Sequence, residues 1–268
     1  MSVLNVPPWL ESAFARAAVD AGATAGREDL ADAAARLLAR WSDPRRVFHN
    51  VRHLVDVLAR VDELAAGSHA PALVRLAAFY HGAVFEPRVT ESATGRTCPP
   101  DSSASNASDY VSDVAPDAIV LPRGANWEDE AASALVARAE LLGLGVPGRA
   151  ADRVAALIGA MKDLTPLPGD ADSAVLIDAS LGLLAVEPQR YKVYLAEVRR
   201  ENAGIPLRDF LRNRIATLEA VLARPRLFAS LEATAWERAA RDNIAAELQR
   251  SRRELLPLDA EATDPSCG

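Results

Sequence analysis

Aromatic residues are scarce, at 5% of the chain, so a core must come from aliphatic side chains, and half of all residues are hydrophobic. Ala and Leu dominate that half, and both lose little on becoming helical. Cysteine is nearly absent: Cys98 and Cys267 are the only two, which excludes a disulfide framework. No apolar run approaches the roughly 20 residues needed to span a bilayer, which argues against a membrane role. The start, MSVLNVPPWLES, has neither the basic residues nor the apolar stretch of a secretion signal, and the expected compartment is the cytoplasm. Positive charge is in deficit, with 30 Lys and Arg against 37 Asp and Glu and a net charge of -7. The one short basic cluster, Arg250, Arg252 and Arg253, reads as a solvated helix end, so a nucleic-acid polymer is not an expected partner. No stretch alternates long enough to force a strand, and no internal repeat is evident.

What is present is helical periodicity almost throughout. It predicts an all-α fold with helices near 8–21, 27–41, 48–66, 71–83, 127–143, 149–163, 172–185, 188–202, 206–224 and 232–253. Pro188 suits the first turn of its helix, where its missing N–H has no helical partner. Thr234 is a candidate cap for the last long helix, and Gly143, Gly145, Pro147 and Pro225 separate neighbours. Residues 88–126 differ. They are rich in Ser, Asp, Pro and Ala and read as a long irregular insertion, either a cover over a site or a tolerated surface loop. The expected organisation is one helical domain over 1–256 with a flexible tail over 257–268.

Only four histidines occur, and two of them, His49 and His53, stand four apart on one face of a predicted helix. Such a pair can share an ion, bind a phosphate, or simply be hydrogen-bonded at a helix surface. His81 ends the apolar stretch VRLAAFYHGAVF, where an imidazole needs a partner or faces a cavity. Asp178 lies in AVLIDASLGLLA, a costly place for a carboxylate unless it is paired or metal-bound. A buried salt bridge is the ordinary alternative.

The string DPRRVFHNVRHLVDVL, followed in order by AAFYHGAVFEPR, EDEAASA, MKDL, LIDASLGLL, YKVYLAEVRRE, RIATLEAVLARPRLF and WERAARDNIAAEL, resembles the predicted metal-dependent HD-domain superfamily phosphohydrolases. The resemblance runs from about Asp43 to Leu248 and implies an HD-domain-like helical bundle. It further implies a divalent ion (Zn, Mn, Fe or Mg) held by His53, His81 and Asp178. Glu130 and Lys162 would take catalytic roles, and His49, Lys162 and Arg199 would meet a small phosphorylated molecule or nucleotide. Three positions depart from the family pattern. Gly82 stands where the His-Asp pair has its Asp, Leu164 where relatives often carry His, and Ser180 where they often carry a second Asp. Glu86, Glu91, Asp101 and Asp109 are the carboxylates that could stand in.

Three functions follow from these readings: a metal-dependent phosphohydrolase, a catalytically inactive relative that binds a nucleotide or anion for regulation, and a structural helical protein. Exposed helices leave pairing into a homodimer open.

Overall fold

The computed structural model describes residues 6–85 and 127–263; the insertion expected over 88–126, with Glu91, Asp101 and Asp109, lies outside the described residues, and so does Glu86. The described residues form ten α-helices and no strand, the all-α class that the periodicity predicts. In chain order they are α1 (Trp9–Asp20), α2 (Arg27–Trp41), α3 (Val51–Glu63), α4 (Pro71–Tyr80), α5 (Trp127–Gly143), α6 (Gly148–Ala160), α7 (Ala171–Leu181), α8 (Pro188–Glu201), α9 (Leu207–Ala223) and α10 (Glu237–Thr263). No helix among them is long and apolar enough to cross a membrane.

The α4 helix is the hub. Val74 and every residue from Leu76 to Tyr80 are buried, and the helix packs against α1, α3, α5, α6 and α7. A helix apolar on all sides has to be enclosed, and this one carries the group that follows it, His81, into the interior. Its N-terminus is held by a carboxylate from another helix. Asp172 Oδ1 accepts from Ser68 Oγ at 2.7 Å, His69 N at 2.8 Å and Ala70 N at 3.0 Å. This satisfies the N-cap N–H of Ala70 and fixes the two residues that lead into the helix. Asp172 belongs to α7, whose own start is capped by Asp170.

Several boundaries differ from the sequence expectation, each for a local reason. The third helix begins at Val51 rather than near 48, because Asn50 caps it and residues 47–49 are pinned in a non-helical course by Glu201. The sixth ends in a 3₁₀ turn, Met161–Asp163, closed by Leu164 in the left-handed region at φ 45°. Thr234 sits in a 3₁₀ turn, Glu232–Trp236, ahead of α10 rather than capping it. The tail expected from Pro257 is instead helix as far as Thr263, with Pro257 inside it. Asp259 accounts for this by accepting from Arg208 at 2.7 Å and Arg212 at 2.9 Å, which ties the last turns of α10 to α9.

A second layer, α8 to α10, closes over the bundle. Asn243 Nδ2 of α10 donates to the carbonyls of Leu184 and Val186 at 2.9 and 2.8 Å, fastening the layer to the turn after α7. Within it, Glu247 accepts from Tyr191 Oη at 2.5 Å and from Arg214 Nε and Nη2 at 2.6 and 3.1 Å. Glu247 is 4% exposed, so its charge depends on that partner. Replacing Glu247 with Gln strands the Arg214 cation and is expected to cost about 3–5 kcal/mol in urea unfolding, whereas replacing Arg214 and Glu247 together with Met should cost much less.

Candidate functional site

Between the bundle and the second layer lies a cavity of about 280 Å³. It is reached by the chain just before α3, the turn after α4, the start of α5, the turn after α6, the end of α7 and the inner faces of α8 and α9. Asn50 sets the α3 side, accepting from Arg52 N at 2.9 Å and donating to Val47 O at 2.7 Å. Glu201, at the end of α8, sets the rest. One of its oxygens accepts the N–H groups of Val47, Phe48 and His49 at 3.1, 2.8 and 3.1 Å, and the other meets His49 Nδ1 at 2.5 Å. Burial alone would raise the Glu201 pKa, but the bonds and charge from His49 and the backbone donors outweigh it and hold the group at about 2.

His53 and His81 meet inside the cavity, their Nε2 atoms 3.4 Å apart. His81 Nδ1 donates to Ala78 O at 2.6 Å, so the neutral ring presents an unprotonated Nε2. Burial holds the His81 pKa down at about 4, partly opposed by the Ala78 bond, and burial with the neighbouring imidazoles depresses His53 strongly. Both rings are therefore neutral at physiological pH. Behind them stands Trp41, whose ring centroid lies 5.1 Å from that of His81 and 6.2 Å from that of His53, and whose Nε1 donates to Phe79 O at 2.9 Å.

The three positions that depart from the family pattern converge here: Gly82, Leu164 and Ser180 all line the cavity that holds His53 and His81. At Gly82 the departure is built into the packing. A Cβ there would lie 2.8 Å from Trp41 Cζ2 and closer still to Cη2. The indole occupies the space a carboxylate side chain would need. Leu164 puts hydrocarbon where a histidine is expected, buried and held in a left-handed conformation that costs a leucine about 1–2 kcal/mol.

Other sequence candidates fall in different places. Asp178 is buried on α7 but does not line the cavity. It accepts from Ala229 N at 3.0 Å, Ser230 N at 2.7 Å and Ser230 Oγ at 2.6 Å, so its carboxylate holds the 229–230 loop. Burial raises its pKa, opposed by these bonds. Lys162 is exposed on the 3₁₀ turn, outside the cavity lining. Arg199 donates to Ile205 O at 3.3 Å with its guanidinium 4.8 Å from the Phe210 ring centroid, and it too lies outside the lining. His49 and Glu130 do line the cavity. Ser133, paired with Glu130 in the sequence motif, is fully buried and accepts Val84 N at 3.0 Å, bracing the turn after His81.

A divalent ion does not fit the donors found here. Catalytic zinc takes three protein ligands and hard ions want more carboxylate, whereas only the imidazole nitrogens of His53 and His81 face each other closely here, Glu201 is engaged by His49 and the backbone, and Asp178 is committed elsewhere. No group of three or more His, Cys, Asp or Glu among the described residues could hold a metal.

Arg46 is the residue that sequence reasoning missed. It is 5% exposed and lines the cavity, with its guanidinium 5.2 Å from the Trp41 ring centroid and 4.7 Å from that of Phe85, and Nη1 donating to His49 O. Burial lowers its pKa to about 10. Its neighbour Arg45 is exposed and paired with Asp43, and nothing in DPRRVF distinguishes the two. Two buried side-chain atoms in the described residues have no hydrogen-bond partner, Arg46 Nε and Glu130 Oε2, and both residues line this cavity.

Comparison with protein-family models, with curated proteins and with solved structures returned no match.

Two outcomes are expected. Gly82→Ala should lower stability by about 1–3 kcal/mol, read by denaturant unfolding, because the indole has nowhere to go. Burial raises the Glu130 pKa from 4.5 to about 7, so its favourable contribution is present below 4.5 and is lost as pH rises through 7. Glu130→Gln should therefore stabilise the fold above pH 7, by at most about 3 kcal/mol, with the gain vanishing in acid; a pH series of melting curves measures it.

Proposed function

We propose that this chain is a non-catalytic small-molecule-binding protein, in which the centre of an HD-type helical scaffold has become an apolar ligand cavity. The observation that carries this reading is the convergence of Gly82, Leu164 and Ser180 on the cavity that holds His53 and His81. Three positions where the family pattern has polar residues, one of them the metal-ligating Asp of the His-Asp pair, are here a glycine filled in by Trp41, a buried leucine and a short hydroxyl. A cavity with apolar walls and a few polar groups is the usual form of a small-molecule site.

The charge of the site argues against a nucleotide. Of the basic side chains lining the cavity, Arg214 is held by Glu247 and His49 by Glu201. Arg46 remains as the main counter-charge, with Glu130 on the same lining. A polyphosphate would bring several negative charges to a space with one such cation. The paucity of cysteine fits action in the cytoplasm.

A second reading, a metal-dependent HD-superfamily phosphohydrolase acting on a nucleotide or small phosphate ester, is favoured by one specific observation. His53 and His81 present facing nitrogens at 3.4 Å in the interior. Elemental analysis of the purified full chain, with phosphatase assays in added Zn, Mn, Fe and Mg, separates the two. The binding reading expects no stoichiometric metal, no turnover with any ion, and saturable uptake of an apolar fluorescent dye that a Leu218→Trp substitution in the cavity wall abolishes. Stoichiometric metal with turnover lost in His81→Ala would overturn it.

A further inference from the structure

We propose that the natural ligand of this cavity is an amine with an apolar body, whose ammonium group is received by Glu130. The inference rests on the ligand-binding reading above and deepens it by naming the ligand's chemistry.

The first support is an unmet acceptor. Glu130 stands in the first turn of α5 and lines the cavity, and its Oε2 is buried with no hydrogen-bond partner. A buried carboxylate oxygen without a donor carries its full desolvation cost, so a protein that retains one gains from any ligand that supplies the donor. An ammonium supplies three N–H groups and the compensating charge together.

The second support is the pair of neutral histidines. With the His81 Nδ1 proton committed to Ala78 O, the 3.4 Å contact between the two Nε2 atoms is a hydrogen bond only if His53 carries its proton on Nε2. His53 Nδ1 is then a lone pair as well. His53 and Glu130 thus both bring acceptors to the cavity lining.

The fixed cations offer an anionic head less than they first suggest. Arg214 is neutralised by Glu247 at 2.6 Å, and Arg46 stacks against Trp41 and Phe85 while donating to His49 O. Arg46 Nε is the one unpartnered atom that would favour a carboxylate, and the test below is arranged to expose that outcome. The body of the ligand follows from the walls, where Leu164, Leu181, Leu184, Val198, Leu218 and Val221 present hydrocarbon. The volume of about 280 Å³ is roughly twice that of a ~150 Å³ cavity that admits a single benzene. It suits an eight-carbon chain or a small fused ring.

The test compares octylamine, octanol and octanoate by isothermal titration calorimetry on the full chain. Concentrations stay below aggregation, at about pH 8, where the amine is charged and Glu130, with its pKa raised to about 7, is a carboxylate. Octylamine is expected to bind at least about tenfold more tightly than either of the others. Glu130→Gln should remove about that factor for octylamine and leave octanol unchanged, with Glu130→Ala as a second variant and circular dichroism to verify the fold. Arg199→Met, outside the cavity lining, should leave octylamine binding in place. Tighter binding of octanoate, equal binding of all three, or octylamine affinity indifferent to both Glu130 variants would overturn the amine assignment while leaving the apolar cavity as a binding site. Binding of none of the three would overturn both.

Discussion

The indole of Trp41 is the surface against which the site is assembled. It is fully buried, anchored by its N–H to the Phe79 carbonyl at 2.9 Å, and it lies beside His53, His81 and the Arg46 guanidinium at once. Its far edge fills the space next to Gly82, so the position after His81 can carry no side chain without displacing the ring. Packing in a protein interior is close to that of a molecular crystal, and a ring in that position decides what its neighbours can be. The neutral state of the two histidines and the enclosure of Arg46 both follow from what surrounds this one side chain.

Among the described residues, the acidic side chains of the interior divide into those whose carboxylates are fully engaged and one, Glu130, with a buried oxygen that has no partner. Asp172 caps α4, Glu201 holds the chain that leads into α3, Asp178 holds the loop at 229–230, and Glu247 neutralises Arg214. Each takes two or more hydrogen bonds, which is what makes a buried carboxylate tolerable. Glu130 has a buried oxygen left over, and the residue lines the same cavity as the histidine pair. An unmet polar atom in an otherwise well-satisfied interior marks a place where the free protein is not at its most stable, which is how ligand sites commonly stand out.

Much of the helical order was legible from apolar periodicity and from Pro and Gly punctuation, as at Pro188 in the first turn of α8. The errors fell at helix ends. The start of α3 depends on a carboxylate about 150 positions away in sequence, Glu201, and the persistence of α10 past Pro257 depends on arginines of α9. Periodicity is a local quantity and carries no information about such partners. In the same way Asp178 was singled out correctly as a costly buried carboxylate, but its partners, two backbone N–H groups and a serine hydroxyl, leave no trace in residue type or spacing.

The sequence by itself determined the all-α class and the approximate helix positions, and it singled out His53 and His81 together with the odd residues Gly82, Leu164 and Ser180. Those features reside in side-chain chemistry and short-range spacing. Only the tertiary structure decided that these five positions share one cavity, that Asp178, Lys162 and Arg199 stand outside it, and that Arg46 turns inward while Arg45 does not. Burial and hydrogen-bond partnership are set by segments distant along the chain, and the preference of a charged group for water or for a partner is resolved only once those segments have packed.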